Sequence, residues 1–385
     1  MKKTNEYIIP CTRMIKVLFL CGSAAPGKDG VGDYTRRFCG KLIKLGHEAQ
    51  LLSLCDQQAE SFISENQMVE NTAVLVHRIP RATENNQRLS ALQHIINDFQ
   101  PDYISLQYVP YSFNSKGLPF WIPSFLKKVK GNYQWHIMFH ELWIGMDVNA
   151  TFKNSFIGFL QKFLIVEMLK TKPKIIVNTQ TNLYQSKLAS LGYNAEILPL
   201  FSNIIKKSAP AKESVEEAEE LRFCIFGTIH YGAPAEKFID DLKRVLLASK
   251  NKKSLNFLFI GHCGNAIEEW KRVLQKHSIN FEITGFVTDQ EISYFLSHSH
   301  YGISTTPYIL NQKSGSLTAM FDHQIPVIFV ARNWEVKGFN QQKFLNLTQY
   351  QNQESVKKFL DKKFIPSTEN NLESVVLQFL KGLRK

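Results

Sequence analysis

The sequence predicts an α/β fold of two domains, each a parallel sheet with helices on both faces. Three observations predict it. Short apolar runs of strand character alternate with helix-period segments along nearly the whole chain. The alternation breaks once, between Ser202 and Glu220, and then restarts. A length of 385 residues exceeds one ordinary core and suits two domains of similar size.

Residues 15–20 form a nearly continuous apolar run, as a strand covered on both faces requires. Tyr34, Phe38, Leu42 and Leu45 then recur at spacings of four, four and three, one face of a helix over 32–45. Between them Gly30 and Gly32 remove side chains where that helix begins. Free backbone N–H groups and the helix dipole make this corner a natural anion seat. A tight turn that merely needs glycine is the competing reading. Further strands are expected over 49–54, 103–107, 135–139, 175–178 and 196–200. Helices are expected over 88–99, 120–128, 155–169 and 183–191, with Pro101 and Pro173 as stops.

The segment 202–220 holds lysines, Pro210 and five glutamates without an apolar stripe, and reads as the interdomain linker. Strands are then expected over 223–226, 256–260, 280–284, 301–305 and 326–330, with helices over 235–247, 266–277 and 316–321. Thr288 and Glu291 form a capping box that opens another helix. Three successive strands end in Gly227, Gly261 and Gly285, at one sheet edge. Ligands of open α/β sheets bind at that carboxyl edge. The result is two facing Rossmann-like halves: 14–201 and 221–385, with 1–13 as a loose leader.

An apolar fraction of 44% and a charged fraction of 21% describe a soluble globular protein. No run of eighteen apolar residues exists, so no transmembrane helix is expected. The short apolar core from Val17 to Cys21 belongs to the first strand rather than to a signal peptide, and a cytoplasmic location is expected. Six cysteines without a Cys-x-x-Cys pair fit a reducing setting and no zinc site. A net charge of +12 favours anionic partners: a nucleotide sugar, an anionic lipid surface or nucleic acid. No nucleic-acid motif is present. Two apolar segments edged with lysine, 118–130 and 152–170, have the composition of helices lying on a membrane face. Core helices with solvated lysine edges have the same composition.

Gly30-Val31-Gly32-Asp33-Tyr34-Thr35 resembles the first loop of glycosyltransferase family 4, a group of GT-B enzymes in which Gly-Gly-Val-(Gly/Ala)-x-(Tyr/His) opens the first helix. Asp29 stands at the usual first glycine. Leu45-Gly46-His47-Glu48-Ala49 resembles the family's Gly-His-Glu-Val. The run from Trp135 to Glu141 resembles the strand whose terminal histidine, here His140, reaches the donor sugar or its phosphates. Phe226-Gly227-Thr228-Ile229 resembles the Val-Gly-Arg-Leu segment beside the donor diphosphate, and Phe259-Ile260-Gly261-His262 resembles Val-Gly-Asp-Gly. Gly285-Phe286-Val287 is similar to the loop that meets the nucleobase. Lys313-Ser314-Gly315-Ser316 and the residues after it resemble the donor-binding loop and helix. The order of matches covers roughly 14–385. The resemblance implies a GT-B fold whose first domain binds the acceptor and whose second binds the nucleotide sugar. It also implies a final helix, near 372–383, that folds back onto the first domain.

The chain departs from the family at three places. The family's pair of glutamates would fall on Asn311 and Ala319, Thr228 replaces an arginine, and the usual Lys-Gly is absent from His230 to Pro234. Lys313, His230 and Lys237 are therefore the expected diphosphate cations, with Ser314 and Ser316 donating to it. His140 and Glu141 are the candidate catalytic pair, Glu141 as acceptor base, orienter or helix cap. In a retaining, front-face transfer the departing phosphate takes the acceptor's proton, so orientation and charge neutralisation suffice. No cofactor is expected beyond the donor, and no metal, since no Asp-x-Asp cluster is present.

The reading is a hexosyl-type transferase, peripheral to the membrane, that moves sugar from a nucleotide-diphosphate sugar to a glycan or polyprenyl-linked acceptor in surface polysaccharide or glycoconjugate synthesis. The alternatives are a nucleotide-sugar 2-epimerase and a non-catalytic partner that binds sugar nucleotide or glycan for another transferase.

Overall fold

The computed structural model describes residues 13–207, 215, 217–248, 253–339, 344, 347–362 and 371–384. Most of the expected leader, and 208–214 and 216 of the expected linker, lie outside the described residues. The first sheet has eight strands: β1 (Lys16–Cys21), β2 (Glu48–Asp56), β3 (Ile63–Val69), β4 (Thr72–Pro80), β5 (Tyr103–Tyr108), β6 (Gln134–Phe139), β7 (Ile175–Thr179) and β8 (Glu196–Ile197). Their order is β3-β4-β2-β1-β5-β6-β7-β8. Helices α1 (Gly30–Lys44), α2 (Asn85–Phe99), α3 (Pro110–Phe113), α4 (Trp121–Lys128), α5 (Phe152–Leu169) and α6 (Asn182–Ala189) connect them.

β1 explains its own apolar run. Leu18 and Leu20 enter one core with α2, α4 and α5, while Val17, Phe19 and Cys21 enter another under α1. Both faces are covered, so alternation with polar residues is absent. The first sheet is not wholly parallel, contrary to expectation: β3 pairs antiparallel with β4. Glu70 and Asn71 turn the hairpin with φ of 46° and 65°, the left-handed pair that matches strand twist. β3 is polar and mostly exposed, as an edge strand tolerates.

The second sheet is parallel throughout, with β9 (Glu220–Phe226), β10 (Ser254–Ile260), β11 (Asn280–Ile283), β12 (Tyr301–Ser304), β13 (Val327–Phe329) and β14 (Thr348–Gln349) in the order β11-β10-β9-β12-β13-β14. Helices α7 (Ala235–Ala248), α8 (Ile267–Lys276), α9 (Asp289–Ser297), α10 (Gly315–Asp322) and α11 (Gln353–Asp361) pack around it. Thr288 and Glu291 make the reciprocal capping box at α9. The last helix, α12 (Leu372–Leu383), leaves this domain. Its Val376, Phe379 and Leu383 are buried with Phe19 and Phe38 of the first domain, and Tyr103 donates to the Leu383 carbonyl at 2.7 Å.

The two lysine-edged segments part company. α4 buries Ile122, Phe125 and Leu126 in the first core, so it is a core helix with a lysine rim, not a membrane face. α5 instead leaves Phe152, Phe156, Phe159 and Phe163 exposed. Among the described residues, no helix is long and apolar enough to cross a membrane.

Candidate active site

The carboxyl ends of β9, β10 and β11 lie side by side, and each turns through a glycine: Gly227, Gly261 and Gly285 have φ of 76°, 80° and 64°. A side chain at these positions would strain the turn. Gly261 N–H donates to Thr284 Oγ1 at 3.0 Å, and His230 N–H to Thr305 Oγ1 at 2.9 Å, which fixes the loops to their neighbours. Beside them α10 begins. Ser314 Oγ caps it by accepting from Leu317 N–H at 3.3 Å. A Cβ on Gly315 would meet no atom within 4 Å, and one on Gly227 would meet only the Ser316 side chain, at 3.7 Å. Gly227, Gly315 and Ser316 therefore border one open space. Among the described residues, no protein group accepts from the Gly315 or Ser316 N–H.

The start of α1 differs, and corrects the expectation of an anion seat there. Asp29 Oδ1 accepts from Val31 N–H at 3.0 Å and Gly32 N–H at 2.8 Å. The protein's own carboxylate already occupies the helix end. Gly32 serves packing: a Cβ there would stand 2.4 Å from the Ser23 carbonyl oxygen. Gly30 faces open space.

In the first domain, β6 delivers His140 and Glu141 at its carboxyl end. His140 is buried and sits edge-on to the Tyr34 ring at 5.0 Å. Its Nε2–H donates to Gln107 Oε1 at 2.8 Å, and Gln107 Nε2 donates to Ser105 Oγ at 2.7 Å. The Ser105 hydroxyl is then the donor to His136 Nδ1, also 2.7 Å, and His136 Nε2–H donates to Asn178 Oδ1 at 2.9 Å. Asn178 Nδ2 donates to the Glu196 carbonyl at 2.9 Å, so its Oδ1 must accept, and the donor chain fixes both imidazoles as Nε2–H tautomers. Burial, reinforced by the charge of Lys313, pushes His140 down to about 3, and burial pushes His136 down to about 4. Both are neutral at physiological pH. Near His140 the buried Tyr34 hydroxyl and Gln180 Nε2 have no protein partner among the described residues. Such orphans are costly unless a ligand or water satisfies them.

Lys313 bridges the domains. Its Nζ donates to Glu141 Oε1 at 2.8 Å and to the Tyr184 hydroxyl at 3.4 Å. Burial opposes the ammonium, yet Tyr184 and Glu141 outweigh it and hold the Lys313 pKa above its ordinary value. Lys313, expected to serve the diphosphate, is thus paired with Glu141 in this structure. Around the pair opens a 430 Å³ pocket lined by both domains, including Trp143, Arg332 and Trp334. Arg332 pairs with Asp147 at 3.5 Å, and Asn182 N–H donates to Gln312 Oε1 at 2.9 Å. Gly158 lets α5 seat against the pocket loop, since a Cβ would stand 2.0 Å from the Ile144 carbonyl oxygen.

Other expected residues are placed as follows. The exposed His262 ring stacks on Phe286 at 5.4 Å, with Phe286 87% exposed at the sheet edge. Val287 packs into the second domain's core. Thr228 and His230 are exposed in the loop after Gly227. Lys237 stands apart: its Nζ reaches the Gln351 carbonyl at 3.5 Å, beyond β14. Asn311 is buried and donates to the Tyr308 carbonyl, and Ala319 is fully buried, so neither position meets the open space as a hydrogen-bonding group. Sequence reasoning missed Arg332 and Tyr184. Arg332 lies two residues past the expected strand end at Val330, where the carboxyl-edge rule already pointed.

No protein-family model matches the sequence, and no curated protein matches it. Solved structures do match the fold. The chain is similar to the apo form of a lipopolysaccharide outer core galactosyltransferase, WaaB, at 11% identity and TM-score 0.57, over 96% of this chain and 99% of that one. It is similar to the UDP-GlcNAc 2-epimerase of Methanocaldococcus jannaschii at 9% identity and TM-score 0.56, over 96% and 99%. The catalytic domain of Starch Synthase IV from Arabidopsis thaliana, bound to ADP and acarbose, matches at 10% identity and TM-score 0.54, over 96% and 99%. Two Rossmann-like domains facing across a cleft, along nearly full length, are the GT-B fold.

Proposed function

We propose that this chain is a glycosyltransferase akin to family 4, using a nucleotide-diphosphate sugar as donor. One observation carries the reading. The start of α10 is an open helix N-terminus, capped by neutral Ser314 rather than by a carboxylate, and it faces the end of β6 across the domain cleft. Such an end attracts a phosphate through its N–H groups and dipole. The donor diphosphate sits on Gly315 and Ser316, with Gly227 and Thr228 alongside and His230 and Arg332 nearby. Phe286 and His262 offer a face to the nucleobase at the same sheet edge.

The sugar then points toward His140, where the Tyr34 hydroxyl and Gln180 Nε2 are available to it. Glu141 and the pocket rimmed by Trp143 and Trp334 receive the acceptor, a glycan or lipid-linked saccharide, since aromatic faces suit sugar rings. The fixed tautomer leaves His140 Nδ1 as an acceptor and makes the ring a positioning group rather than a proton carrier. Front-face transfer needs no more: the leaving phosphate takes the proton, and the site orients and neutralises. The buried Asn311 and Ala319 support the rival reading of a non-catalytic binder, and the fold alone is compatible with an epimerase.

The deciding experiment has two arms. Thermal shift against UDP, GDP and ADP should find one nucleotide that raises Tm, and Gly315→Val should abolish that shift. The matching sugar nucleotide is then incubated in deuterated buffer. Transfer or slow hydrolysis without deuterium in the sugar supports the transferase. Deuterium at C2 with a new epimer overturns it, and binding without turnover on any acceptor supports the binder.

A further inference from the structure

We infer that the outer face of α5 docks on an anionic membrane surface, and that the acceptor of the neighbouring pocket is therefore lipid-linked. The second half of this rests on the transferase reading. The first does not.

The helix is amphipathic in an inverted sense. Gly158, Gln161, Leu164, Ile165 and Met168 are buried against the first domain. The opposite stripe is not polar: Phe152, Phe156, Phe159 and Phe163 are 87%, 54%, 64% and 51% exposed. Spacings of four, three and four place them on one line along the helix. Four exposed phenylalanines in a row form an apolar patch that marks an interaction surface.

Charge identifies the occupant. Lys153 and Lys162 are exposed on the same helix, and no acidic residue occurs from Phe152 to Val166. An apolar line edged with lysine fits the boundary between acyl chains and anionic headgroups, where basic residues gain from the surface potential. A second copy of this chain fits worse, because a twofold contact would set this positive face against itself. The inner face supplies continuity with the site. Gln161 accepts from Ile144 N–H at 2.9 Å and donates to the Gly117 carbonyl at 3.0 Å, and Thr151 and Asn154 line the pocket that holds Glu141 and Lys313. A bilayer under the phenylalanines would lie beside that pocket, so a saccharide held on a membrane lipid could enter it.

The test is sedimentation of the full chain with phosphatidylcholine vesicles, with and without phosphatidylglycerol. Binding is expected on the anionic vesicles only, weakening with salt. Replacing all four phenylalanines by serine (F152S, F156S, F159S and F163S together) should lower it by about a hundredfold. The melting curve and nucleotide affinity should stay nearly unchanged, since none of the four belongs to a core cluster or lines the pocket. Lys153→Gln with Lys162→Gln should flatten the salt dependence. The inference is overturned if the parent stays in the supernatant at low salt, if the serine variant binds as well as the parent, or if ultracentrifugation shows a dimer that the serine variant converts to monomer. A loss of nucleotide binding in the Gly315→Val protein with vesicle binding intact would separate the two readings.

Discussion

Lys313, on the loop that enters α10, donates to Glu141, at the end of β6, and so ties the two domains together at the mouth of the cleft. Both side chains keep partial exposure, 24% and 39%. A pair of that kind contributes about 1 kcal/mol or less. It is therefore easily exchanged, and a diphosphate arriving at Gly315 is a natural competitor for the ammonium.

Exchange predicts opposite effects from the two partners. Glu141→Gln releases Lys313 and should tighten binding of the nucleoside diphosphate severalfold. Lys313→Ala should weaken it by about 1–3 kcal/mol, the range for a charge-assisted contact in a partly dry site. Calorimetry on both variants measures this. Equal affinity in all three proteins would move the diphosphate cation to Arg332, since burial and the nearby Lys313 and Arg332 charges hold the His230 imidazole below its ordinary pKa.

Two glycines at helix starts should behave oppositely. A Cβ at Gly32 meets the Ser23 carbonyl at 2.4 Å, so Gly32→Ala must shift backbone and should lower Tm by several degrees. Gly315 faces open space, so Gly315→Val should leave Tm unchanged without ligand and remove the nucleotide-induced rise. If Gly32→Ala melts like the parent, the packing assigned to that corner is wrong.

The contrast between those glycines shows what was legible in the sequence. Both sit in a strand–loop–helix pattern, and the pattern was read correctly in each domain. Whether the helix end is open depends on the residue before it: Asp29 in one case, Ser314 in the other. By sequence Asp29 counts only as the residue at the usual first glycine, and the fold shows its carboxylate turned onto Val31 and Gly32. Strong periods, such as Tyr34-Phe38-Leu42, gave their helices directly. β3 was missed because an exposed edge strand has no need of alternation. Tyr184 was invisible as a site residue because α6 brings it to Lys313 only in the folded chain.

At the edge of the second sheet, Phe286 is a large aromatic left in water, stacked on His262. A nucleobase that covers it should gain about 1–3 kcal/mol from stacking. Phe286→Ala should thus weaken the nucleoside diphosphate while leaving inorganic pyrophosphate competition unchanged. Equal losses for both ligands would place the base elsewhere.

The last prediction concerns acid. His136 and His140 are buried and hydrogen-bonded as neutral rings, held down to about 4 and about 3. In the unfolded chain both titrate near the ordinary 6.5. Between these limits the unfolded state binds more protons than the native state, so stability falls as pH falls. At pH 5 each ring should have lost about 2 kcal/mol relative to neutral pH. Asp56 does not compete in this window. Burial opposes its charge, but Arg78 and backbone N–H groups hold its carboxyl down to about 2. Other buried histidines add to the same slope, so a variant must isolate the term. His136→Asn removes one titrating ring and should lower stability at every pH, while losing about 2 kcal/mol less than the parent between pH 7.5 and pH 5. Urea midpoints at the two pH values test this: parallel losses would mean that His136 is protonated in the native protein, and the donor chain from His140 to Asn178 would then have to run differently.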